Sequence, residues 1–306
     1  MKIAFCFPGQ GSLAVGMGRE LAAAFPAARA VFAEGSEASD LDLERVCFEG
    51  PIEELTETAI QQPALVATSL ACLRAVEAVG ARPDVVVGHS VGEYSALAAS
   101  GALTARDAIG LVRERGLATA AAAEEQPGAM AAVLGLEDAV VEELCASLTG
   151  VWPANYNCPG QIVVSGTEAA VDELVVAAER RGARRVVKIR VTGAFHSPLV
   201  ASARDRLRPA LERAPWREGA VPFMSTVTAA VEPTGRAVEL LLDQLTAPVR
   251  FTQAVAGLVR SGVTVFVEIG PGKVLSGLVK RCDRSVTAVS VGDSASLARL
   301  QEVLSP

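Results

Sequence analysis

The stretch VVVGHSVGEYSAL, residues 85–97, decides how this chain is read. An apolar strand, Val85 to Val87, runs into Gly88-His89-Ser90-Val91-Gly92 and then into a helix-forming segment. This is a G-x-S-x-G turn. Its two glycines admit a bend too tight for Cβ atoms, the serine hydroxyl is held out of the sheet, and the N-terminus of the following helix favours negative charge. Glycine and serine are common enough for a chance match, but the strand before and the helix after favour the functional reading. Ser90 is the candidate nucleophile.

Outward from that turn, further strand-like runs lie at Ile3 to Phe7, Ala129 to Leu134, Val151 to Tyr156, Gln161 to Ser165, Arg185 to Val191, Val263 to Glu268 and Val286 to Ser290. Helical stretches rich in Ala, Leu and Glu separate most of them, Arg19 to Ala38 reading as one such helix. The alternation predicts an α/β fold with a mainly parallel sheet, whose strands are continuous apolar runs because helices cover both faces. One segment departs from it. From about Gln126 to Arg190 the order is strand, helix, strand, turn, strand, helix, strand, the βαββαβ order of a ferredoxin-like unit. The architecture expected is a large α/β domain made of residues 1–125 and 194–306, interrupted by a small subdomain at 126–193.

With 306 residues, 28 Lys plus Arg against 35 Asp plus Glu and a net charge of -7, the chain supports an ample core but not a general affinity for nucleic acid or anionic membrane. An acidic partner would have to be met by a local basic patch. Six cysteines without a C-x-x-C pair fit a reducing compartment. The apolar run at the start is too short for a signal peptide or a membrane span, so a cytoplasmic location is expected. Two histidines are too few for a histidine-rich metal site.

That histidine count also selects a base for Ser90. His89 adjoins Ser90 at a tight turn, where its ring points away from the hydroxyl, and this leaves His196, in VTGAFHSPL, on a loop between a strand and a helix. No acid stands out as its orienting partner, so a main-chain carbonyl is expected in that role. Near the N-terminus, Pro8-Gly9-Gln10-Gly11-Ser12 follows the first strand. It passes as a weak dinucleotide fingerprint, but no second strand ending in an acid follows. Its glycines instead expose N–H groups able to stabilise an oxyanion beside Ser90. Arg115 shares a mostly apolar helical stripe with Ala108, Leu111, Val112 and Thr119, where it serves either a structural salt bridge or a substrate carboxylate. Finally, Arg180, Arg181, Arg184, Arg185, Lys188 and Arg190 form a basic run without an acid. Such a run is ordinarily a solvated face, yet in an acidic chain it is the best candidate for docking an acidic protein.

Together these motifs resemble one family, the malonyl-CoA:acyl carrier protein transacylases and the related acyltransferases of polyketide synthases. The resemblance spans the chain: PGQGS at 8–12, GHSVGEYSAL at 88–97, RG at 115–116, GAMAAVLG at 128–135, NYNCPGQIVVSG at 155–166, GAFHSP at 193–198 and EIGPGKVLSGL at 268–278. It implies an α/β-hydrolase-like large domain with an inserted ferredoxin-like one. It makes Ser90 the nucleophile, His196 its base, the N–H groups of Gln10 and Val91 an oxyanion hole, and Arg115 the holder of a malonyl carboxylate. A backbone carbonyl in Ala247-Pro248-Val249-Arg250, at Arg250, would orient the histidine. Thr119 stands where the family often has Met, which implies a roomier acyl pocket. Phe195 resembles malonyl-selective members, where an aromatic leaves little space for an α-methyl branch. The implied reaction is ping-pong transfer of a malonyl group from malonyl-CoA to the phosphopantetheine thiol of an acidic acyl carrier protein, with no metal or redox cofactor and a monomeric enzyme. Docking would fall on Arg180, Arg181, Arg184 and Arg185, or on Lys273, Lys280, Arg281 and Arg284. The alternatives are another acyl group or a carrier-bound donor on the same fold, a serine esterase or thioesterase, and a non-catalytic carrier-docking subunit.

Overall fold

The structure is a computed structural model, described over residues 1–189, 191 and 193–304. Among the described residues ten strands form two sheets. The first six-stranded sheet is ordered β10-β9-β1-β2-β7-β8, built from β1 (Ile3–Phe7), β2 (Val85–Gly88), β7 (Phe223–Ser225), β8 (Ala230–Glu232), β9 (Val265–Ile269) and β10 (Thr287–Val291). It is parallel except for the β7–β8 hairpin. Alternation along its central strands explains both faces. Phe5 and Phe7 of β1, with Val267 and Ile269 of β9, pack into one core, while Ala4, Cys6 and Phe266 pack into the other. Because successive side chains point to opposite faces, a strand covered on both must be apolar throughout. Complete burial of Phe5 alone contributes about 2 kcal/mol.

The second sheet, ordered β4-β5-β3-β6, is antiparallel and comes from one continuous segment: β3 (Ala129–Leu134), β4 (Val151–Cys158), β5 (Gln161–Gly166) and β6 (Arg185–Ile189). Helices Asp138–Ser147 and Glu168–Arg180 complete the βαββαβ order and close a separate core. The fold is therefore mixed α/β, with a mainly parallel sheet and a distinct ferredoxin-like sheet. The layers meet where Tyr156 N–H donates to the Val249 carbonyl and Val249 N–H to that of Ala154, both at 2.8 Å.

Two details differ from the sequence reading. The β7–β8 hairpin has no counterpart among the expected strands, because three-residue strands carry too little alternation to stand out. The single helix expected over Arg19 to Ala38 is two, Arg19–Ala24 and Pro26–Ser39, since Pro26 lacks an N–H and serves better as the first residue of a new helix. A proline is tolerated within the helix Thr58–Ala78 for an identifiable reason. Pro63 frees the carbonyl of Ala59 from the helical ladder, and Arg113 occupies it at 2.7 Å.

Candidate active site

The turn after β2 is as tight as its glycines suggest. A Cβ on Gly88 would lie 2.1 Å from the N–H nitrogen of Glu93, and one on Gly92 would lie 2.2 Å from the carbonyl oxygen of Phe7. Ser90 between them takes a left-handed conformation, φ 54°, that lifts its hydroxyl off the sheet at the start of the helix Gly92–Ser100. Opposite it stands His196, also left-handed at φ 58° and 5% exposed. Its Nε2 accepts from the Ser90 hydroxyl at 2.7 Å, although the two residues are 106 positions apart. Its Nδ1 faces the carbonyl oxygens of Gln244 at 2.8 Å and Ala247 at 3.2 Å, so Nδ1 carries the proton and Nε2 is free to accept one. Burial first, then the charge of Arg115, pulls His196 down to about 3, which keeps the ring neutral at physiological pH. His89 turns away and donates from Nε2 to Asn157 Oδ1 at 2.8 Å.

Arg115 enters from the helix Ala105–Glu125, whose start is fixed by a capping box between Thr104 and Asp107. The residue is 4% exposed, and its guanidinium reaches Gln62 Oε1 at 2.6 Å, Gln244 Oε1 at 3.1 Å and Ser90 Oγ at 3.3 Å. No carboxylate contacts it among the described residues, and its Nε has no partner. The salt-bridge alternative for Arg115 is thereby overturned. Phe195, 8% exposed, lines a cavity of about 700 Å³ together with Gln10, Leu13, Thr58, Gln61 and Ile189. Gln10 donates from its side chain to Gln61 at 2.7 Å. The loop carrying it lies against the nucleophile turn, since a Cβ on Gly9 would come within 2.6 Å of the His89 carbonyl oxygen. Neither the Gln10 nor the Val91 main-chain N–H has a protein acceptor among the described residues.

Arg250 does not hold the histidine. It caps the helix Phe251–Arg260, and its carbonyl accepts from Ala254 in the first turn at 3.0 Å. Gln244, by contrast, ends the helix Ala237–Gln244, where carbonyls lack intrahelical partners and one is left for His196. Arg250 instead places its guanidinium 5.9 Å from the centre of the Tyr156 ring. Thr119 is 1% exposed and donates back to the Arg115 carbonyl at 2.8 Å, touching the guanidinium only through Gln62.

The basic run is partly engaged. Arg181 pairs with Glu143 at 3.0 Å and Lys188 with Asp172, whereas Arg180, Arg184 and Arg185 are in no ion pair among the described residues. Arg190 lies outside the described residues. Since β6 runs from Arg185 toward the cavity at Ile189, Arg185 sits about 13 Å from the cavity end of that strand.

Residues that sequence reasoning missed include Gln62, Glu93 and Gln244. Glu93 Oε1 receives the Thr226 N–H at 2.5 Å, the Thr226 hydroxyl at 2.8 Å and the Ser225 hydroxyl at 3.3 Å, while its Oε2 receives the Gln244 amide at 2.6 Å. Burial pushes Glu93 up to about 7 against these hydrogen bonds. The available signal was polarity beside apolar residues: Gln62 at the head of the apolar run 63–67, and Glu93 directly after the nucleophile turn. Among the described residues no group of three or more His, Cys, Asp or Glu could hold a metal ion, and no helix is long and apolar enough to cross a membrane.

A serine on a strand-to-helix turn, a neutral imidazole accepting its proton and a buried guanidinium beside both make up an acyl-transfer constellation, and the chain belongs to the acyl transferase domain family, matching it over residues 4–302. Among its relatives is the malonyl CoA-acyl carrier protein transacylase of Bacillus subtilis (strain 168), 44% identical over 301 residues, covering 97% of this chain and 95% of that one. The protein of the same name in Staphylococcus aureus (strain MSSA476) is 40% identical over 295 residues, covering 95% of each. Of solved structures, the acyl-carrier-protein-S-malonyltransferase from Bartonella henselae superposes with a TM-score of 0.95 at 40% identity over 99% of both chains. A malonyl-transacylase solved in complex with a type II PKS acyl-carrier protein gives 0.95 at 37% identity, covering 99% of this chain and 100% of that one.

Proposed function

We propose that the chain transfers a malonyl group from malonyl-CoA to the phosphopantetheine thiol of an acyl carrier protein through an ester on Ser90. The Ser90 proton passes to His196 Nε2 as Oγ attacks the thioester carbon, the Gln10 and Val91 N–H groups hold the oxyanion, and collapse expels the CoA thiolate, which takes the proton from His196. The carrier thiol then gives its proton to His196 and attacks the ester carbon, and His196 passes that proton to the departing Ser90 oxygen, restoring the hydroxyl and the neutral ring. The observation that carries the malonyl assignment is Arg115, a buried cation without a contacting carboxylate, 3.3 Å from the nucleophile. A carboxylate on the acyl group would supply the missing charge in bidentate geometry. Phe195 agrees with an unbranched acyl group, and the named relatives support the same donor and acceptor.

Incubation with malonyl-CoA is expected to leave a malonyl ester on Ser90, seen by intact-protein mass, that persists until carrier protein is added. Rapid release of free malonate would make the protein a thioesterase instead, and unchanged function in Ser90→Ala would make it a docking subunit. The carrier is acidic and docks on Arg180, Arg184 and Arg185, with Arg181 joining by exchange from its exposed pair, which contributes little. Charge reversal at Arg184 and Arg185 is expected to raise the KM for carrier protein about tenfold with that for malonyl-CoA unchanged. An unchanged carrier KM would move docking to Lys273, Lys280, Arg281 and Arg284. All site residues come from one chain, so a monomer suffices. Six free thiols, five of them buried, suit the cytoplasm. The small sheet is taken as a subdomain of residues 126–193 inserted between 1–125 and 194–306.

A further inference from the structure

Glu93 has no part in the chemistry above, yet it lies one residue away from Ser90, His196 and Arg115. Gln244 provides the link. Its amide orientation is determined by its neighbours, because Oε1 faces the Arg115 guanidinium, which can only donate. Nε2 meanwhile donates to Glu93 and, at 3.0 Å, to the carbonyl of Ser90. The main-chain carbonyl of the same residue holds His196 Nδ1. One residue thus touches the nucleophile's backbone, the base and the guanidinium, and Glu93 anchors it from below.

We propose that Glu93 is a positioning residue for acyl transfer, acting through Gln244 to keep Ser90, His196 and Arg115 in register and to moderate the field of Arg115. The proposal rests on the acyl-transfer reading and deepens it. Every polar group facing Glu93 can donate a hydrogen: the Thr226 N–H, the Gln244 amide and the Ser225 and Thr226 hydroxyls. Such a cage satisfies the carboxylate form. The charge is fully buried, so little water screens it from Arg115, which the same Gln244 side chain touches. Loss of that charge has two consequences of opposite sign. A loosened Gln244 lets the His196 ring drift from Ser90, which slows acylation. Arg115, no longer offset, attracts a carboxylate-bearing acyl group more strongly. A purely structural contribution would produce the first kind of loss without the second.

The test compares Glu93→Gln with the parent enzyme at slightly alkaline pH, using malonyl-CoA, acetyl-CoA and a neutral fluorophosphonate that reacts with the activated serine. The kcat for malonyl loading is expected to fall about ten- to a hundredfold, with fluorophosphonate labelling slowed in parallel. The malonyl-to-acetyl ratio of kcat/KM is expected to rise severalfold. Glu93→Asp, which keeps the charge on a shorter stem, should lower kcat while leaving that ratio at the parental value. An unchanged kcat overturns the proposal, as does an equal rise in KM for both donors at constant ratio. Should Glu93→Gln fail to fold, Gln244→Met keeps the carbonyl at His196 and cuts the side-chain links, and undiminished labelling there overturns the proposal equally. A parent enzyme that reacts with the fluorophosphonate but not with malonyl-CoA would remove the malonyl reading and leave the fluorophosphonate arm to decide the role of Glu93.

Discussion

His196→Ala is expected to slow the acylation of Ser90 by malonyl-CoA about 10⁴-fold or more, a loss of about 5 kcal/mol of transition-state stabilisation. The size of the effect follows from what His196 alone supplies. Its Nε2 is the acceptor in contact with the Ser90 hydroxyl, and its Nδ1 is committed to two carbonyl oxygens that enforce the accepting tautomer. Because burial and Arg115 depress its affinity for protons, the ring remains available as a base well below neutrality. His89 cannot substitute, since it is held by Asn157. Rapid-quench acylation followed by intact mass checks this, and a variant retaining more than a tenth of the parental rate would show that another group takes the proton.

Arg115→Ala is expected to reduce kcat/KM for malonyl-CoA by about 10² to 10³, or roughly 3 to 4 kcal/mol, with acetyl loading undiminished. The selectivity arises because acetyl offers the guanidinium no carboxylate. A second change accompanies it. The positive charge of Arg115 is, after burial, the next cause holding His196 down, so its removal raises the affinity of the imidazole for a proton. The acid limb of the rate profile should then move to higher pH, because His196 becomes protonated sooner as pH falls. Intact mass after exposure to malonyl-, methylmalonyl- and acetyl-CoA decides the first part. Undiminished malonyl loading relative to acetyl would show that Arg115 does not bind the carboxylate.

What could be read beforehand, and what could not, divides along the distance over which information acts. The strands of both sheets were legible except the short hairpin, because a buried strand needs an unbroken apolar run and β1, β2 and β9 have one. The Ser90–His196 contact was reachable by elimination, since only two histidines exist and one adjoins the serine. The carbonyls holding His196 were legible only as a neighbourhood: Ala247 lies in the segment 247–250 and Gln244 just before it, and helix boundaries alone decide which oxygens are spare. Glu93, Gln62 and Gln244 escaped for a related reason. Each stands out locally only as a polar residue beside apolar ones, and its partners come from remote stretches of chain, as Thr226 does for Glu93, so its role is not readable from its neighbours.

Ser90 and His196 are two of only four non-glycine residues with positive φ among the described residues. Left-handed backbone costs about 1 kcal/mol or more per such residue, so neither conformation is favoured in a free peptide. Each persists only because a finished sheet and finished helices impose it. Nucleophilicity in this protein is therefore a late product of folding. A nascent or misfolded chain carries the same serine and the same histidine but keeps them apart and relaxed, and it can neither capture an acyl group nor squander a thioester.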